Sequence, residues 1–198
     1  MMSEKSVILV MDLDGTLYDG FEYYVKAHMR AIKKLETCGL TIPEELKFFD
    51  SQYKTYVECV KCIPFYYSMF LAEYKEEIKK NKEEIKKKSL AAWKLIRKLE
   101  KIFEPKEIYI LTANPQAKLL LQFLSIQIPS NRIVVIDGKE YIKKKGSFLK
   151  KLKKRGEVVY VGDSEEDEIV AKKLGINFVN VFTLKSNPNQ VHSLLEKK

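Results

Sequence analysis

The chain of 198 residues is long enough for one well-buried domain with a modest insertion, and too short for two full-sized enzyme domains. Apolar residues make up 45% of the sequence and charged residues 32%, which excludes a protein that is disordered throughout. The formal net charge of +9 fits a nucleic-acid surface, a membrane surface or the attraction of anionic substrates, and does not choose among them.

Five short apolar runs predict the strands of a parallel sheet, because each is continuously apolar rather than alternating. In chain order they are Val7 to Met11, Ile108 to Leu111, Ile133 to Ile136, Val158 to Val161, and Phe178 to Val181. Helical patterns lie between the later runs, at Pro115 to Leu124, Ser147 to Lys154 and Glu165 to Leu174. This alternation predicts an α/β fold with an open, doubly wound sheet. The first run is far too short to cross a membrane or to serve as a secretory signal, so we expect a soluble cytoplasmic protein.

A long helical insertion separates the first two predicted strands. It shows no strand pattern but three helical ones, at Tyr23 to Leu35, Pro43 to Cys62 and Phe65 to Lys80. Ser89 is the expected N-cap of a helix from Leu90 to Phe103, which Glu104-Pro105-Lys106 ends. We therefore predict a catalytic core of residues 1–18 and 89–198, with an all-helical cap at residues 19–88.

Lysine-rich segments do not by themselves indicate nucleic-acid binding. The tract from Lys75 to Lys88 pairs lysine with glutamate at helical spacing, which is typical of a solvated helix face. In the segment from Lys143 to Arg155, apolar residues form a stripe that predicts an amphipathic helix. We therefore do not expect a nucleic-acid partner.

The three cysteines are Cys38, Cys59 and Cys62, and their odd number argues against a secreted disulfide framework. Cys59 and Cys62 have C-x-x-C spacing, but no second closely spaced pair completes a zinc site. We expect ordinary thiols packed between helices, with a disulfide or a metal site between Cys59 and Cys62 as the alternatives.

Polar residues follow three of the predicted strands at the edge of the sheet where ligands bind. Asp12-Leu13-Asp14-Gly15-Thr16 follows the first strand, Thr112-Ala113-Asn114 the second, and Gly162-Asp163-Ser164-Glu165-Glu166-Asp167 the fourth. Carboxylates that converge on one sheet edge repel one another unless a cation lies between them. The pattern therefore predicts a cation site.

These segments resemble the four motifs of the haloacid dehalogenase-like hydrolases, in order and over essentially the whole chain. D-x-D-G-T matches Asp12 to Thr16, the strand-ending Thr matches Thr112, and G-D-x-x-x-D matches Gly162 to Asp167. The motif lysine is identified as Lys145, with the adjacent Lys144 as the alternative. The helical insertion resembles the cap of the C1 subclass, as in phosphoglycolate phosphatase-like enzymes.

The resemblance implies a Rossmann-like, three-layer α/β/α core with a central parallel sheet of five strands. It implies that Asp12 is the nucleophile, which forms an aspartyl-phosphate, and that Asp14 is the general acid and base. Phosphate oxygens would be held by four residues: Thr112, Lys145, and the backbone amides of Ala113 and Asn114. Mg²⁺ would be bound by Asp12, the backbone carbonyl of Asp14, Asp163, and Asp167 directly or through water.

The expected function is a magnesium-dependent phosphatase acting on a small phosphorylated metabolite, as a monomer or homodimer. A phosphomutase with the same core is an alternative, as is a nucleic-acid-binding protein or a phosphatase acting on nucleic-acid ends. A non-catalytic relative would be expected to have lost a motif residue, and none is lost. Most aromatic residues of the cap are expected in its core, although Tyr18, Phe21 and Tyr24 could reach the substrate.

Overall fold

The computed structural model of the protein describes residues 6–49, 52–136 and 141–186. The chain divides into two compact units. The first unit is made of Met1–Asp19 and Lys88–Lys198, and the second is Gly20–Lys87.

A five-stranded, all-parallel sheet forms the centre of the first unit. Its strands are β1 (Val7–Met11), β2 (Glu107–Thr112), β3 (Ile133–Val135), β4 (Glu157–Gly162) and β5 (Asn177–Asn180). They lie in the order β3-β2-β1-β4-β5, so the strand before Asp12 is central. The predicted α/β fold with a parallel five-stranded sheet is confirmed. Two predicted strands ran one residue too far, because β3 ends before Ile136 and Val181 is the first residue of a helix.

Helices connect these strands and make up the second unit. In chain order they are α1 (Phe21–Thr37), α2 (Gln52–Cys62), α3 (Tyr66–Lys80), α4 (Lys82–Phe103), α5 (Ala117–Phe123), α6 (Tyr141–Lys153), α7 (Glu165–Leu174) and α8 (Val181–Ser186). Short 3-10 helices lie at Glu44–Leu46 and Ser130–Arg132. Every described helix is too short or too polar to cross a membrane.

The core of the first unit lies on both faces of the sheet, as expected for a three-layer arrangement. On one face, Val10 and Leu111 pack in a cluster with Leu149 of α6 and Ala171 of α7. The alternating strand residues that point to the other face, such as Leu9 and Ile110, are fully buried as well. The strands are thus fixed from both sides, and with them the loops at their carboxyl ends.

The second unit is held together by stacked aromatic residues between α1 and α3. Tyr24 of α1 stacks on Tyr74 of α3 with ring centroids 4.3 Å apart. Nearby, Nδ1 of the buried His28 lies 2.9 Å from the Tyr66 hydroxyl in a hydrogen bond. Phe21, in contrast, is 38% exposed. Tyr18 belongs to the first unit, is 2% exposed and has the Lys88 ammonium 5.5 Å from its ring centroid.

Three predicted helices begin more than two residues away from where the structure has them. Ser89 does not begin a helix, because α4 runs without interruption from Lys82. The segment from Pro43 to Cys62 is not one helix, since a 3-10 turn at Glu44–Leu46 precedes α2. Helix α6 begins at Tyr141 rather than near Ser147. The adjacent lysines Lys143, Lys144 and Lys145 therefore lie inside it.

All three cysteines are free thiols, with Cys59 buried and Cys38 and Cys62 exposed. Burial is the largest cause that raises the pKa of Cys59 from its ordinary 9.0 to about 12. Cys59 is therefore a protonated, buried thiol rather than a reactive one.

Candidate active site

The loop after β1 places two carboxylates at the middle of the sheet edge. Asp12 is 8% exposed, and its backbone N–H donates to the Val161 carbonyl of β4 at 2.9 Å. Gly15 then turns the chain with a φ of +74°, a conformation that favours glycine. A Cβ atom at Gly15 would lie 2.0 Å from Asp163 Oδ2, so the loop after β4 can approach only because this side chain is absent.

The loop after β4 and the first turn of α7 bring two further carboxylates, Asp163 and Asp167, to the same place. Ser164 caps α7 by accepting a hydrogen bond from the Asp167 backbone N–H at 3.1 Å, which fixes the start of that helix. Thr16 Oγ1 donates to Asp163 Oδ1 at 3.4 Å. As a result, ligand oxygens from Asp12, Asp163 and Asp167 all lie within 4.8 Å of one another.

Among the residues that the structure describes, one buried cation faces this acidic cluster. Lys145 of α6 is 3% exposed and forms an ion pair with Asp167 Oδ1. It occupies a buried position of the amphipathic helix, in register with Leu149 and Leu152 at spacings of four and three residues. Lys144 is exposed. The same Asp167 oxygen accepts a hydrogen bond from the Tyr160 hydroxyl at 2.7 Å.

The loop after β2 holds Asp14. Thr112 and Asn114 are both fully buried. Asn114 Nδ2 donates to Asp14 Oδ1 at 2.9 Å, and Thr112 Oγ1 donates to Asp14 Oδ2 at 3.3 Å. The backbone N–H of Asn114 donates to Thr112 Oγ1 at 3.0 Å. The expected phosphate-binding residue Ala113 is exposed.

Burial and mutual repulsion raise the pKa values of three of these carboxyl groups. Burial is the main cause that raises the pKa of Asp12 well above 3.8; Asp167 and Asp14 raise it further, and Lys145 lowers it. Burial also raises the pKa of Asp14 to about 6, against the hydrogen bonds from Asn114 and Thr112. The pKa of Asp163 is raised by burial and by Asp167. The cluster thus has more negative charge than Lys145 alone offsets.

The donor set fits a hard divalent cation. In the described part of the chain it consists of carboxylate oxygens at the end of a sheet, and oxygen is the ligand type that Mg²⁺ and Ca²⁺ prefer. A cation among them would remove the repulsion that raises the pKa values of Asp12 and Asp163.

The structure brings together most of the residues that the sequence singled out. Those that converge are Asp12, Asp14, Thr112, Asn114, Lys145, Asp163 and Asp167. Sequence reasoning missed Tyr160, whose only sequence signal is a hydroxyl inside an otherwise aliphatic strand. It also missed the hydrogen bond from the Asn114 side chain to Asp14.

The family model for haloacid dehalogenase-like hydrolases matches residues 9–181 of the chain. The chain belongs to this family. The match includes every residue of the convergent set, so the cluster described above lies in the part of this hydrolase that defines the family. A search of the curated proteins finds no significant match.

Solved structures of other hydrolases share the fold of this haloacid dehalogenase-like protein. A hydrolase from Pseudomonas syringae aligns with a TM-score of 0.52 at 17% identity, over 88% of this chain and 83% of its own. A Lactobacillus plantarum protein with the provisional description of a phosphoglycolate phosphatase aligns with a TM-score of 0.51 at 17% identity, over 96% of this chain and 91% of its own. At these identities the likeness shows the fold alone.

Proposed function

We propose that this hydrolase is a magnesium-dependent phosphatase that hydrolyses a small phosphomonoester through an aspartyl-phosphate on Asp12. The proposal is supported above all by the convergence of Asp12, Asp163 and Asp167 within 4.8 Å beside the buried Lys145. Residues 19–88 would serve as a helical cap that excludes water from the site and selects the substrate.

In the first step, a carboxylate oxygen of Asp12 attacks phosphorus as the bond to the leaving alcohol breaks. Asp14 gives its proton to that alcohol oxygen and becomes a carboxylate. In the second step, Asp14 takes a proton from water while the water oxygen attacks phosphorus, and the bond from phosphorus to Asp12 breaks. The products are inorganic phosphate and the free alcohol.

The remaining residues stabilise charge during both displacements. The Thr112 hydroxyl and the Lys145 ammonium would hold phosphate oxygens, where electrostatic stabilisation is usually the largest contribution to catalysis. Mg²⁺ would be bound by the carboxylates of Asp12, Asp163 and Asp167 and by the backbone carbonyl of Asp14. When bound, the metal neutralises charge on the nucleophile and the phosphate.

The test is phosphate release from a panel of phosphorylated metabolites with magnesium chloride present. Asp12→Asn is expected to lower kcat/KM more than about a thousandfold, because an amide does not attack phosphorus. Asp19→Asn makes the same chemical change at an exposed aspartate and is expected to match the wild type. Circular dichroism would check that both variants fold.

Two outcomes would overturn the proposal. Hydrolysis by Asp12→Asn close to the wild-type rate would rule out the covalent step. Isomerised phosphate esters without released phosphate would identify a phosphomutase instead.

A further inference from the structure

Asn114 is a fully buried residue whose side chain contacts two different parts of the site. Its Nδ2 donates to Asp14 Oδ1 at 2.9 Å. Its Oδ1 accepts a hydrogen bond from the Gln116 backbone N–H at 2.8 Å. Its own backbone N–H donates to Thr112 Oγ1 at 3.0 Å.

These contacts fix the orientation of the carboxamide. If the amide were reversed, its oxygen would face the Asp14 carboxyl oxygen and its NH₂ group would face the Gln116 N–H. Both contacts would then be repulsive. The loop from Thr112 to Gln116 therefore presents one amide donor to Asp14 in a single orientation.

The two oxygens of Asp14 have different partners. Among the side chains that the structure describes, Asn114 donates to Oδ1 at 2.9 Å, and Thr112 makes the longer contact, at 3.3 Å, with Oδ2. In the proposed function the Thr112 hydroxyl would turn to a phosphate oxygen, and Oδ2 is the oxygen that this turn would release. A carboxyl group held at Oδ1 carries its proton on Oδ2.

We propose that Asn114 is a positioning residue that holds Asp14 by Oδ1, so that Oδ2 delivers and recovers the proton in the two steps. This inference rests on the proposed function, in which Asp14 is the general acid and base. Asn114 does not touch the reacting atoms; it acts through Asp14.

The measurement is kcat/KM for phenyl phosphate and para-nitrophenyl phosphate, two esters of similar shape. kcat/KM covers only the steps through the first displacement when that step is irreversible. Phenolate needs proton donation as it leaves, whereas para-nitrophenolate stabilises its own charge and needs it much less. Correct general-acid catalysis is worth about 10²–10⁴ in rate, so partial misplacement has a measurable effect.

Asn114→Ala is expected to lower kcat/KM for phenyl phosphate about tenfold more than for para-nitrophenyl phosphate. Asp14→Asn should show the same leaving-group dependence, to a larger degree. In the double variant, Asn114→Ala should add little to Asp14→Asn, because two residues that act as a unit are not additive. Gln116→Ala keeps its backbone N–H and is the control from the same loop, with both esters expected to react at wild-type rates.

Equal losses for the two esters in Asn114→Ala would show that Asn114 only shapes the loop, and would overturn this inference. Wild-type kcat/KM values for both esters in Asn114→Ala would overturn it as well. The proposed function fails in a different way: the wild type would then release phosphate neither from the two esters nor from the metabolite panel, or Asp14→Asn would lose no more activity on phenyl phosphate than on para-nitrophenyl phosphate.

Discussion

Tyr160 lies in β4, and its hydroxyl connects the core of the first unit to the acidic cluster. The residue is fully buried among apolar side chains. Its hydroxyl donates to Asp167 Oδ1 at 2.7 Å, and the Lys145 ammonium lies 5.6 Å from its ring centroid. Tyr160 therefore fixes the direction of Asp167 and, through it, the place of Lys145.

We expect Tyr160→Phe to lower kcat/KM for phosphomonoesters about tenfold or more, since groups that orient metal ligands commonly matter to that extent. It should also lower the free energy of unfolding by about 1.5–3 kcal/mol, because a buried carboxylate loses a donor. Phosphate release and urea unfolding measure the two effects.

Tyr109→Phe is the matched control for Tyr160→Phe. The Tyr109 hydroxyl donates to Glu107 Oε2 at 2.7 Å, and neither residue belongs to the acidic cluster. We expect its removal to lower stability without changing kcat/KM. If both variants had the same kcat/KM as the wild type, the positioning role of Tyr160 would be wrong.

The position of the site could be predicted from residues at strand ends, but the contacts within it could not. Asp12, Asp163 and Thr112 each follow an apolar run, so parallel strands bring them to one edge. Tyr160 lies inside a strand and carries no such signal. Asn114 does follow a strand, but the contact of its side chain with Asp14 was not predictable, because the direction of a side chain depends on which strand and loop lie beside it. The distance between Asn114 Nδ2 and Asp14 Oδ1 is set by the pairing of β1 with β2, which no short sequence pattern encodes.

At the scale of the helices, the prediction succeeded where the sequence has a strong boundary signal. The helix predicted from Glu165 to Leu174 coincides with α7, and the Ser164 side chain caps it by accepting the Asp167 N–H. Gly175 ends the same helix with a φ of +59°. The prediction failed at Ser89, where a capping residue type lies in the middle of α4. Capping residues are common, and only the surrounding fold determines whether the helix begins there.

The substitution Ser89→Ala distinguishes a Ser89 that caps a helix from a Ser89 inside the continuous helix α4. In the interior of α4, alanine is the better helix former, and we expect the free energy of unfolding to rise by a few tenths of a kcal/mol. An N-cap would behave in the opposite way and lose about 1 kcal/mol. Ser164→Ala is the matched control, with the expected loss of about 1 kcal/mol. Urea unfolding measures both, and a comparable loss in Ser89→Ala would contradict the continuous helix.

At the scale of the whole molecule, the charge distribution opposes the local charge of the site. The chain carries a formal net charge of +9, and α6 alone contains six lysines and no acidic residue. The site, in contrast, gathers carboxylates against one buried lysine. The electrostatic field of the positively charged molecule attracts an anionic ester. Binding within the site would depend on Thr112, Lys145 and the cation that the carboxylates would bind.

Thermal unfolding in sodium chloride and in sodium phosphate, at equal ionic strength, separates two contributions to Tm. One is the screening of the net positive charge by any salt, and the other is the binding of phosphate at the site. Both salts screen the repulsion within a molecule of net charge +9, so both should raise Tm slightly. Phosphate should add a further rise, because a ligand present at about a hundredfold its Kd stabilises the folded state by about 2.7 kcal/mol. For a chain of this length that corresponds to about 5–10 °C.

The specific part of that rise should depend on Thr112. Its fully buried hydroxyl is proposed to hold phosphate, and valine replaces it with a methyl group of similar size. We therefore expect Thr112→Val to lose the additional stabilisation by phosphate and to keep the response to sodium chloride. If phosphate and chloride raised the Tm of the wild type equally, or if Thr112→Val kept the full additional rise, the phosphate site would not be where the fold brings Thr112, Lys145 and the acidic cluster together.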